Sequence, residues 1–254
     1  MASISDGSID ALRSRIEDVI HLCDKRGVPC FFGFLDLREQ ADAKCLLRQL
    51  VPEEQVAFYG GYPDAERTFL SISPLYYLAT SEDYPFCRIA FRYRAQRQLT
   101  HRDVLGTLMS LGIRRDAIGD ILCGDGISVV FVREEIAAFV CDQVDRIGGE
   151  GVTVIADYDG ELPISVEYEP LYETVASPRL DSVIKALIRT SREQAAEWIR
   201  VGAVSINHQP VDSVSKTVTD GDILSVRGYG RYYVDQIGPM TKKGRLALHA
   251  RRRL

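Results

Sequence analysis

Between residues 179 and 231 the chain concentrates side chains that hold a polyanion and lacks a set that would transform one. Arg179, Lys185, Arg189, Arg192, Lys216, Arg227 and Arg231 all fall in this stretch, with Arg200 beside them. Clustered guanidinium and ammonium groups displace counterions from a phosphate backbone, so their local density matters more than total charge. From Ser177 onward there are 14 Lys and Arg against 7 Asp and Glu; the residues before it carry 17 against 29. A formal net charge of −5 therefore hides a balance of +7 at one end and −12 over the rest.

These side chains need elements to carry them. Leu180, Val183, Ile184, Leu187 and Ile188 recur at the spacing of one buried helical stripe. Lys185 and Arg189 fall on the opposite side. Thr190 and Ser191 interrupt the helix, and Ser191 with Gln194, or Thr190 with Glu193, has the spacing of a capping box opening a second helix. Arg192 then stands in the first turn, where backbone N–H groups and the helix dipole also favour a phosphate. Gly202 ends that helix. In "AVSIN", Val204 and Ile206 face inward and Ser205 and Asn207 outward. The turns "HQP" and "DGD" and the strand "ILSVRGYGR" complete a small α-plus-β module, whose seven cations are expected in one groove. Trp198, at helical spacing with Ala195 and Val201, reads as core rather than as a platform for a base.

The remaining chain is read as two further domains and a tail. Residues 1–80 form an α/β piece: a helix over 9–26, the aromatic stretch "CFFGFLDL", a helix through Leu50, and two strands around the glycines of "VAFYGGYPDAERTFLSI". Residues 81–165 give the order β-α-β-β-α-β of a ferredoxin-like, RNA-recognition-like domain. In it "CRIAFRYRA" alternates, Thr100 and Asp103 cap a helix closed by Gly112, Gly124-Asp125-Gly126 turns a hairpin, "REEIAAFVCDQVDRIGG" is a helix and "VTVIADY" a last strand. "LYETVASPRL" is expected as linker, residues 177–241 as the third domain, and 242–254 as a basic tail, either an electrostatic anchor or a disordered end. The fold class is thus α+β in three small domains.

Catalytic readings find little. His101, Arg102 and Asp103 are adjacent on a helix and diverge by about 100° from one to the next, so they do not converge on one atom. They read instead as cap and charge. His101, Arg102, Arg114 and Arg115 are secondary candidates for RNA contact. The glycines of "YGGYPDAER" lack the spacing of either nucleotide loop, and no G-x-S-x-G elbow occurs. Six scattered cysteines without a close pair exclude a zinc clip on spacing. His21, His208 and His249 are isolated. No apolar run approaches the roughly 20 residues of a membrane span, and the N-terminus lacks a secretory layout. The expectation is a cytoplasmic monomer without cofactor, metal or membrane insertion.

Residues 179–231 resemble the RNA-binding domain first recognised in ribosomal protein S4. "RLD" opens the first helix, "SR" the second, "GAVSIN" stands for G-V-x-x-N, and "GD" precedes a strand. The resemblance implies that Arg179 and Arg192 contact RNA backbone and that Asp181 orients or caps. Lys185, Arg189, Lys216, Arg227 and Arg231, read from charge clustering, complete the expected RNA-binding surface with Ser191, Arg200 and Asn207. "RLDSVIKA" lacks the glycine of a pseudouridine synthase, and the Gly-rich turn of a methyltransferase is missing. Upstream, "FYGGYPDAER", "LTHRDVLGTLMSLGIRRDAIGDI" and "SVRGYGR" are similar to the YlmH family, from about residue 30 to 231. That resemblance implies a non-enzymatic protein that binds rRNA of the large ribosomal subunit and (peptidyl-)tRNA during rescue of stalled translation, in a bacterial cytoplasm or a chloroplast stroma. The competing readings are an rRNA-modifying enzyme and a cell-division or photosystem-assembly adaptor.

Overall fold

The computed structural model describes residues 4–94, 98–164, 168–242 and 244–253, with side chains from residue 9 onward. Ala95, expected to end a strand, and Lys243 and Leu254 of the expected tail lie outside them. The chain divides into two compact units, Met1–Ser165 and Val166–Leu254. The fold is α+β.

In the first unit, α1 (Ile4–Arg26) and α2 (Leu37–Leu47) pack on a three-stranded antiparallel sheet of β1 (Cys30–Leu35), β2 (Val56–Tyr59) and β3 (Thr68–Ile72), in the order β1-β3-β2. Ile16, Cys23, Ala43, Leu47, Leu70 and Ile72 form its core. There follow β4 (Phe86–Arg92), α3 (His101–Ser110), β5 (Ile118–Gly124), β6 (Ile127–Arg133), α4 (Glu134–Gln143) and, after a short ribbon of β7 (Arg146–Ile147) and β8 (Glu150–Gly151), β9 (Thr153–Ile155). The sheet order β5-β6-β4-β9, antiparallel throughout, is the split βαβ arrangement that the sequence predicts. Thr100 caps α3 reciprocally with Asp103. Helix α4 stops at Gln143, short of the expected 149, because Gly148 and Gly149 take positive φ and turn the ribbon instead.

The two expected N-terminal domains form one unit because two of the family-like motifs meet. The buried Asp120 carboxylate, on β5, accepts from the Tyr62 hydroxyl at 2.7 Å and from the backbone N–H groups of Glu66 at 2.7 Å and Arg67 at 3.0 Å. Arg67 in turn donates to the carbonyls of Phe34 and Ile118. Gly61, at φ 96°, lies so close to the Phe131 ring that a Cβ would come within 2.2 Å of it. Phe34, Tyr62, Phe69, Tyr84 and Phe131 close the seam.

The second unit contains β10 (Tyr168–Val175), α5 (Leu180–Leu187), α6 (Arg192–Arg200), β11 (Val204–Ile206), β12 (Gln209–Pro210), β13 (Ile223–Val226), β14 (Gly230–Met240) and β15 (Leu246–Arg253). Its six-stranded sheet runs β10-β15-β14-β13-β11-β12. Two expectations are corrected. The stretch from 171 is no linker as far as Val175: β10 pairs with β15 along its whole length. Pro170 is tolerated because β10 is an edge strand, where a missing N–H costs no ladder bond. Much of the basic tail is likewise a strand, Leu246–Arg253, since Leu246, Leu248 and Ala250 alternate into the core while His249, Arg251 and Arg253 take the other face. No helix among the described residues is long and apolar enough to cross a membrane.

Candidate nucleic-acid interface

Helices α5 and α6 assemble the densest group of exposed cations in the second unit. Leu180, Val183, Ile184 and Leu187 bury one face of α5, as their spacing predicts. Its first N–H groups are met by backbone: Leu180 donates to the Lys216 carbonyl at 2.8 Å and Asp181 to that of Val214 at 3.2 Å. The Asp181 carboxylate is therefore not spent as a cap. Only 6% exposed, it accepts from Arg179 Nε and Nη2, both at 3.2 Å, and from Arg192 Nε at 2.9 Å. Burial pushes the Asp181 carboxyl up, but hydrogen bonds from Arg179 and Arg192, with their charges, outweigh it and hold the pKa below the ordinary carboxylate range.

One carboxylate between two guanidinium groups leaves a net positive charge. Arg179 and Arg192 keep 40% and 57% of their side-chain surface, so both still face solvent. Each retains N–H groups that Asp181 does not take, in planes fixed by the bonds that it does. The carboxylate orients the arginines and reduces their charge without cancelling it.

The hinge between the helices adds one more cation. The Thr190 N–H bonds the Lys185 carbonyl at 3.1 Å, closing α5 in a Schellman motif. The left-handed residue of that motif, ordinarily glycine, is Arg189 at φ 52°. Its side chain is exposed and reaches Glu173 at 3.7 Å. Ser191 caps α6 by accepting from the Gln194 N–H at 3.1 Å. Lys185, Arg189, Arg192 and Arg245, with Ser182, Thr190, Thr174 and Glu173, line a groove of about 470 Å³. Arg245 was not singled out from sequence. The signal was the alternation that begins at Leu246, which would have placed it at the start of a strand.

The other sequence candidates do not line this groove; Arg179 adjoins it through the Asp181 carboxylate that it shares with Arg192. Lys216 is exposed beside the N-terminus of α5, through the backbone contact already given. Arg200, at the far end of α6, sits 3.9 Å from Glu197. Arg227 is exposed in the β13–β14 turn, and Arg231 lies on β14 opposite Ser225 and Arg253. Asn207, at φ 49°, commits both ends of its amide: it donates to Asp222 at 2.8 Å and accepts from the Ile223 N–H at 2.9 Å. That is a turn-stabilising role. The single groove of seven cations expected from sequence is thus smaller and differently composed. Trp198 packs on the core, edge-on to Tyr229.

In the first unit, Arg115 is half-buried and donates to the carbonyls of Ile118 and Gly119 at 2.6 and 3.2 Å. Burial and the neighbouring Arg67 pull its pKa down to about 10. It holds the unit together rather than presenting a charge. Arg114 is exposed but forms a two-bond pair with Asp116 at 3.1 and 2.7 Å. His101 and Arg102 stand at the surface in the first turn of α3; partial desolvation of the ring by the neighbouring chain, then Arg115, lower the His101 pKa.

Comparison with known proteins agrees with this geometry. Residues 80–158 match a family described as the putative RNA-binding domain in YlmH, and residues 178–224 match the S4 domain. The chain is 33% identical over 213 residues to the "Ribosome-associated protein quality control protein P2" of Bacillus subtilis, covering 83% of this chain and 82% of that protein. In fold it is similar to the solved "Cell division protein ylmH from Streptococcus pneumoniae", with TM-score 0.50 and 16% identity over 61% of this chain and 93% of that one. With both domains in place and a relative matched over most of its length, this chain belongs to the YlmH family.

Proposed function

We propose that the protein binds structured rRNA of the large ribosomal subunit through the α5–α6 groove. On this reading it contacts (peptidyl-)tRNA as well and serves quality control of stalled nascent chains without chemistry of its own, in a bacterial cytoplasm or plastid stroma. The observation that carries the reading is the buried Asp181 holding two exposed arginines at fixed orientation, beside Lys185 and Arg189. Such an arrangement suits a rigid phosphate array. The bacterial relative named for ribosome-associated quality control supplies the cellular setting.

The test is co-sedimentation with ribosomes at rising salt. Arg179→Ala and Arg192→Ala are each expected to weaken binding and to flatten the salt dependence by somewhat under about one unit per lost phosphate contact. Variants that pellet like the parent would reject the groove. Loss of a modified rRNA nucleoside on removing the gene would favour a modifying enzyme instead. Association that survives nuclease would favour an adaptor.

A further inference from the structure

The open face of the second sheet, opposite the two helices, carries a different chemistry. Strands β10, β14 and β15 lie outside the residues that match the S4 domain, which end at 224. Their inward side chains, among them Leu171, Val234, Leu248 and Ala250, join the core. The alternate positions place Tyr168 and Tyr172 of β10, Tyr233 of β14, and His249 and Arg251 of β15 together on the outer face. Tyr168 meets Tyr233 edge-to-face at 5.5 Å between centroids, and Tyr172 meets His249 edge-to-face at 5.2 Å. The Arg251 guanidinium lies 5.1 Å from the Tyr168 ring and 6.0 Å from that of Tyr233, held by Asp235 at 2.9 Å. Tyr172 is 74% exposed, an unusual state for a large ring anchored by a neighbour.

We infer that this face stacks unpaired RNA bases, extending the α5–α6 interface around the edge of β10. The inference rests on the RNA-binding reading above. Tyr172, held edge-to-face yet mostly exposed, offers ring surface to a base, and the Arg251 guanidinium plane on the same face adds another; each suits a base of any sequence. Charge separates RNA from a protein occupant. Arg231, Arg251 and Arg253 occupy this face with Asp235, in a unit that carries 14 Lys and Arg against 10 Asp and Glu. Position separates a continuous site from an isolated patch. On β10, Glu173 lines the cationic groove, whereas Tyr172, one residue away, points to the other face. An RNA strand leaving the groove across this edge meets Tyr172 on the outer face, because successive β10 side chains point to opposite faces.

The test uses the full-length protein and two fluorescent RNA hairpins, one blunt and one with a short oligoadenylate overhang, titrated at fixed salt. The overhang is expected to tighten binding by the parent, and Tyr172→Ala to abolish that gain, about tenfold for one stacked base. Tyr172→Phe keeps the ring and the gain. Arg192→Ala weakens both hairpins, so failure of the groove is read on the blunt one and failure of the face on the difference. Equal thermal unfolding of the variants excludes a folding defect. An overhang that gives the parent no gain, or a gain that Tyr172→Ala retains, overturns the inference. So does a Tyr172→Ala protein that keeps the gain yet loses ribosome association, because the face would then dock on protein.

Discussion

Asp181 poses a question of sign. A carboxylate beside a phosphate site should repel RNA, and removing it should tighten binding if charge alone decided. The structure gives it the opposite role, because its two arginines owe their orientation to it. Asp181→Ala is therefore expected to weaken RNA binding despite the added net positive charge, as filter binding would show; tighter binding would reduce Asp181 to a mere counter-charge. Its pKa lies below the unfolded carboxylate value, about 3.9. The stability that it contributes is thus complete above that value and is lost as pH falls through the folded pKa. The same window governs the site, so binding through Asp181 should be flat from neutrality to about pH 5. Arg189 is the converse case. Its left-handed backbone costs roughly 1–2 kcal/mol that glycine would not incur, part of which the unfolded-state entropy of glycine offsets. Arg189→Gly should leave the fold as stable or up to about 1 kcal/mol more stable, while weakening RNA binding. Thermal unfolding paired with titration would separate the two effects, and an unstable variant would contradict the Schellman assignment.

At the scale of elements, the test falls on β15. As a basic tail, residues 242–254 could be removed without harm. As a strand between β10 and β14, their loss strips both neighbours of hydrogen bonds and takes Leu248 and Ala250 from the core. Truncation after Thr241 should unfold the second unit, seen as loss of cooperative unfolding in circular dichroism; a truncated chain with unchanged melting would refute it. Gly61→Ala probes the first unit similarly. A Cβ at φ 96° pressed onto Phe131 should cost about 3 kcal/mol. Elements with local signals were legible in sequence: the stripe of α5, the Thr100–Asp103 cap and the glycine turn between β5 and β6. Those whose meaning is non-local were not. Strand β10 reads as linker because Pro170 disfavours regular structure unless the strand is an edge, and β15 reads as tail because its run of basic residues masks the alternation of Leu246, Leu248 and Ala250 and its second partner, β10, is distant in sequence. The site shows the same division. Lys185 and Arg189 are read from helix spacing, Arg192 from the cap before it and Arg179 from charge clustering and the S4 resemblance, whereas Arg245 and the rings of β10 need the sheet, and Asn207 is taken up by Asp222.

Across the whole molecule, charge is partitioned as the folding units are. Met1–Ser165 carries 17 Lys and Arg against 26 Asp and Glu, and Val166–Leu254 carries 14 against 10. The first unit spends several of its cations internally, Arg67 and Arg115 on carbonyls and Arg114 on Asp116. Its excess of carboxylates opposes indiscriminate RNA binding, whereas a specific site gains enough from fixed contacts to outweigh it. The second unit has its own continuous core and can be studied alone. Residues 166–254, cut at the unit boundary rather than inside β10, should therefore bind scrambled RNA more tightly than the full chain. The difference should shrink as salt rises, because the opposing field acts over a Debye length of about 10 Å at 0.1 M. Equal affinity of fragment and full chain for scrambled RNA at low salt would remove the acidic unit from any part in selectivity and leave it to the geometry of the α5–α6 groove.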